Sequence, residues 1–63
     1  MAYSLVGVDG NAYAIMGYVT TALRKSGHDD KIQPYIDDAE SGDYEHLLAV
    51  SLKTITKINE EDF

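Results

Sequence analysis

Asp43-Tyr44-Glu45-His46-Leu47-Leu48-Ala49-Val50-Ser51-Leu52-Lys53-Thr54-Ile55-Thr56-Lys57-Ile58 is the stretch that decides the fold. Asp43 has the short acceptor side chain that satisfies free amides at a helix start. Behind it, Tyr44, Leu47, Leu48, Leu52, Ile55 and Ile58 recur at steps of three and four, the spacing of one buried helical face. The spacing therefore predicts a helix over 43–58 with those six residues inward. His46, Val50, Lys53 and Lys57 fall on the opposite face and form a cationic stripe. Lys53 and Lys57, four apart, repel one another slightly. Beyond Ile58, residues 59–63 read as an acidic tail that frays.

Upstream, Ser41-Gly42 closes a second helix over 30–40, whose stripe is Ile32, Tyr35, Ile36 and Ala39. Pro34 leaves the start of that helix open. It stands either at the fourth helical position, behind an Asp30 cap, or at the first. A third amphipathic segment over 11–26 carries Ala12, Ile15, Met16, Val19, Ala22 and Leu23 on one face, with Asn11 or Asp9 as its cap. Arg24 and Lys25 stand in its last turn, where the helix dipole favours cations. Residues 1–8 read as an extended arm; its backbone groups pair with another copy of the chain or lie over a helix as coil.

The fold class expected is therefore all-α: a single small three-helix domain over 1–63 with a short extended N-terminal segment. Sixty-three residues without cysteine exclude disulfides and thiolate metal sites. Chains this short bury only about 60% of their unfolded surface, so helix packing is expected to be supplemented by homo-oligomer formation. Eleven acids against five bases, a net charge of −6, argue against direct nucleic-acid binding. No apolar run approaches the ~18 residues of a membrane span, and a cytoplasmic location is expected.

Gly17 is an anomaly in its helix, because an interior glycine costs about 1 kcal/mol relative to alanine. Tyr13, Gly17, Thr20 and Arg24 share one face: a ring, a bare backbone patch, a hydroxyl and a guanidinium. Such a row can stack a base and pair a phosphate, or let another helix pack closely. The helix starts at Asp9-Gly10-Asn11 and at Gly42-Asp43 offer amides to an anion unless Asn11 and Asp43 cap them. Asp43, Glu45 and His46, and likewise His28, Asp29 and Asp30, lack the spacing of a catalytic or metal motif; no enzyme activity and no cofactor are expected. Five carboxylates within nine residues, Asp37, Asp38, Glu40, Asp43 and Glu45, form either a solvated face or a surface for a basic partner.

The run Asp9-Gly10-Asn11-Ala12-Tyr13-Ala14-Ile15-Met16-Gly17, then Ala22-Leu23-Arg24, then Ser41-Gly42-Asp43-Tyr44-Glu45-His46-Leu47-Leu48, resembles a group of short proteins of bacteriophages and bacterial mobile elements. Their pattern is D-G-N-A-aromatic-x-aliphatic-M-G followed by S-G-D-Y-acid-H-L-L. The likeness covers Leu5 to Leu48 and departs from the pattern at Pro34. It implies action against host defences in the host cytoplasm. Two routes are open: sequestering a cyclic dinucleotide or related signal at an oligomer interface, or binding a basic host protein directly. Asp9, Gly10, Asn11, Tyr13, Gly17, Arg24 and His46 are the expected ligand-binding residues for the first. A structural oligomer without ligand is the third reading.

Overall fold

Asn11 sets the start of the first helix, α1 (Ala12–Lys25), by accepting the Ala14 N–H on its side-chain oxygen at 2.8 Å. The computed structural model describes residues 3–63. At the other end of α1 the chain turns at Gly27, whose φ of +83° is a conformation that glycine adopts without a steric penalty. His28 N–H then returns to the Leu23 carbonyl at 2.8 Å, so the turn closes the orphaned end of the helix.

A single 3-10 turn, Asp29–Lys31, leads directly into α2 (Ile32–Ala39). Pro34 thus falls at the third position of α2, within the first turn, where an amide would have no partner inside the helix. The expected helix over 30–40 is resolved in this way into a tight turn followed by eight α-helical residues.

Asp43 caps α3 (Tyr44–Glu60), its carboxylate accepting the His46 N–H at 2.9 Å. Gly42 does not take the left-handed conformation expected of a glycine closing a helix, since among the glycines only Gly7 and Gly27 have positive φ. It serves by being small: a Cβ there would lie 2.8 Å from both Cβ and Cγ of His46.

The three helices enclose one core. Ile15, Val19, Ala22 and Leu23 come from α1, Tyr35 and Ala39 from α2, and Leu47, Ile55 and Ile58 from α3. Ser51 is also fully buried there. The inward face of α3 is therefore rotated from the one its leucines suggest. Leu52 is 55% exposed and Tyr44 44% exposed, while Ser51 points inward and Val50 packs against the core edge. The Tyr35 hydroxyl makes that polar position tolerable by bonding Ser51 at 2.6 Å.

The arm expected over 1–8 falls partly outside the described residues, which begin at Tyr3. From Tyr3 onward it is coil with a turn and not an extended segment. Val8 N–H bonds the Leu5 carbonyl at 3.1 Å, and Gly7 has φ +86°. Its backbone groups are met by side chains of the helices. Tyr3 N–H donates to Asn59 Oδ1 at 2.6 Å, Asn59 Nδ2 donates to the Tyr3 carbonyl at 2.8 Å, and Ser4 N–H donates to the Tyr18 hydroxyl at 2.9 Å. This clamp carries α3 two residues past its expected end and holds Asn59, which a fraying tail would leave loose. Among the described residues there is no strand.

Candidate functional site

The seven residues singled out from the sequence divide into two groups. Asp9, Gly10, Asn11 and His46 are occupied by the fold. Asp9 Oδ1 accepts the Asn11 N–H at 3.0 Å, Asn11 caps α1, and the Gly10 carbonyl accepts the Tyr44 hydroxyl. With both Asn11 and Asp43 on their own helix amides, neither of those helix starts is open to an anion.

His46 closes the connection between α2 and α3. Its Nε2 lies 2.9 Å from the Asp38 carbonyl, 3.0 Å from Asp38 Oδ1 and 3.3 Å from Ser41 Oγ. These partners all stand at the C-terminal end of α2, where unpaired carbonyls attract a donor. Placement against Gly42 leaves the imidazole seated on the turn between α2 and α3.

Tyr13, Gly17 and Arg24 form the second group, and each is exposed on α1. Tyr13 is 84% exposed, and a Cβ at Gly17 would meet no atom within 4 Å. Within the chain, then, nothing approaches the bare patch. Tyr13 lines a groove of about 270 Å³ together with Ala12, Met16, Tyr44 and Leu47 and the acidic Glu40 and Asp43. Arg24 lies eleven residues on, about 16 Å along the axis at 1.5 Å per residue. A mononucleotide stacked on Tyr13 does not reach it in the same protomer.

Sequence reasoning placed Lys53 and Lys57 on a stripe of α3 without seeing what faces them. The structure sets them across from Lys31 and Pro34, around a groove of about 230 Å³ between α2 and α3. Phe63 reaches back to this groove, with its ring centroid 5.9 Å from both Lys31 Nζ and Lys57 Nζ and 4.4 Å from that of His28. Only the folded path of the tail brings the aromatic residue there.

The carboxylate cluster is less free than its sequence suggests. Asp37 accepts from Gln33 at 2.9 Å, Asp38 is engaged by His46, and Asp43 caps α3. All five carboxylates stay exposed, and Glu40 and Glu45 make no side-chain hydrogen bond or ion pair among the described residues. Comparison of the chain with protein-family models, curated proteins and solved structures finds no match.

Proposed function

We propose that this chain is a small binding protein that pairs with a second copy through α1 and sequesters a planar anionic ligand, of the nucleotide class, at the seam. The observation that carries this reading is the exposed face of Tyr13 and Gly17, a large aromatic ring beside a helical backbone patch with nothing over it. An interior glycine that costs helix stability and contacts nothing within its own chain is accounted for by a neighbour that packs closely.

The register of that pairing follows from the spacing. Tyr13 and Arg24 are equidistant from the midpoint of Gly17 and Thr20. A two-fold axis through that point, with the helices antiparallel, sets Gly17 against Thr20 of the partner subunit and Tyr13 against Arg24 of the partner subunit. Two small residues meet at the crossing, and each end gains a ring beside a guanidinium. A planar base would stack on Tyr13 and its phosphate would meet the arginine, a combination that one protomer spreads over about 16 Å. The resemblance to phage and mobile-element proteins makes cyclic dinucleotides the first ligands to try and host defence signalling the setting.

Thermal unfolding with a panel of cyclic dinucleotides tests the reading. Binding to the folded state raises the melting temperature by an amount set by ligand concentration over Kd. Tyr13→Ala and Arg24→Gln should each remove the rise, and an unchanged melting temperature across the panel would overturn the ligand assignment. The direct-inhibitor alternative expects salt-sensitive binding to a basic protein, weakened by charge reversal at Asp37 and Asp38 and indifferent to Tyr13→Ala.

A further inference from the structure

Three of the chain's five basic residues converge on one groove, in a molecule whose net charge is −6. Lys31 ends the 3-10 turn, while Lys53 and Lys57 stand one helical turn apart on α3. Their carboxylate neighbours are few. Asp30 approaches Lys31 Nζ only to 4.0 Å, and Asp38, which also lines the groove, is bonded to His46. Among the described residues neither Lys53 nor Lys57 is in an ion pair. Bringing three like charges together with so few counter-charges is unfavourable, and an anion in the groove relieves it.

Part of the lining is apolar. Pro34, Val50 and the Tyr35 side chain line the groove, with Phe63 beside two of the ammonium groups. Its hydroxyls already have partners within the fold: Thr54 Oγ1 donates to the Val50 carbonyl at 2.8 Å, and the Tyr35 hydroxyl is bonded to that of Ser51. Recognition there therefore falls to the ammonium groups. Lysines are point charges without the planar fork that grips a carboxylate, and three of them around a cleft suit a dianion with acceptors on several sides. A volume of about 230 Å³ lies below the roughly 300–1,000 Å³ of sites for drug-sized ligands.

From these features we infer that the α2–α3 groove is a site for a small organic phosphate, its phosphoryl group among Lys31, Lys53 and Lys57 and its apolar part against Pro34, Val50 and Phe63. This site lies within a single protomer and is independent of the α1 seam.

The test is a titration of the 15N-labelled protein followed by NMR, with inorganic phosphate and phenyl phosphate as probes and sodium chloride matched for ionic strength as control. Both phosphates should shift the resonances of Lys31, Lys53, Thr54 and Phe63. Phenyl phosphate should bind more tightly, and Phe63→Ala should reduce that advantage. The double variant Lys53→Gln/Lys57→Gln, altered at solvent-facing amines and checked for an unchanged helical spectrum, should lose at least about tenfold in affinity for both probes. Arg24→Gln should bind them as the native chain does. Shifts no larger than those from chloride, or equal affinity in the double variant, would overturn the assignment.

Discussion

The hydroxyl of Tyr35 and the hydroxyl of Ser51 form a buried hydrogen bond of 2.6 Å that joins α2 to α3 at the centre of the core. Each group is the partner that makes burial of the other acceptable, and no buried side-chain polar atom among the described residues lacks one. Tyr35→Phe or Ser51→Ala alone should lower stability by about 1–3 kcal/mol, because each orphans a buried hydroxyl. The double variant should lose less than the sum. Urea denaturation of the four proteins measures the coupling, and strict additivity would show that the bond contributes nothing.

The same pair makes stability depend on alkaline pH. Burial pushes the Tyr35 hydroxyl above the ordinary tyrosine value of 10.0, opposed in part by its bond to Ser51. The unfolded chain then releases this proton at lower pH than the folded one does. Stability from the group is complete below pH ~10 and falls as pH rises above it. Tyr35→Phe should flatten that part of the stability curve, and an unchanged slope would contradict the assignment.

Gly42→Ala should destabilise the fold by about 1–3 kcal/mol, the range for forcing an added methyl into a packed site. The new Cβ meets both Cβ and Cγ of His46 at 2.8 Å, so trimming His46 to alanine relieves only the ring's share of the clash. Thermal unfolding of the single and double variants checks this ordering.

Gly17→Ala acts in the opposite direction. With open space around its Cβ and an ordinary helical φ, the substitution should stabilise the dilute protein by about 0.5–1 kcal/mol. A loss of stability in the isolated protomer would show that the glycine is required for its own fold.

Much of the helical layout was legible, because helix caps and apolar spacing are local signals. Asn11 and Asp43 announce α1 and α3 in a few letters, and both make the capping bonds those letters suggest. The orientation of α3 was less legible. Leucine is read as inward and serine as outward, yet Ser51 is buried because a tyrosine sixteen residues earlier supplies its partner, and Leu52 turns out to solvent. No local rule contains that pairing. Sequence leaves the arm open between pairing with another copy and lying over a helix as coil, and reads the tail as fraying from Asn59; a contact across fifty-six residues, Tyr3 with Asn59, is what seats the coil and holds Asn59. Of the expected site residues, Asp9, Gly10, Asn11 and His46 carry polar groups that serve turns and caps as readily as ligands. The lysine groove was half visible, as two letters on one helix, until the fold added Lys31 and Phe63.

Sedimentation equilibrium of the native chain beside Gly17→Leu tests the α1 pairing most directly. The pairing expects a concentration-dependent dimer for the native protein and a folded monomer for Gly17→Leu, whose side chain blocks the crossing point. A native chain that stays monomeric at millimolar concentration, or a Gly17→Leu variant that dimerises equally well, would contradict it.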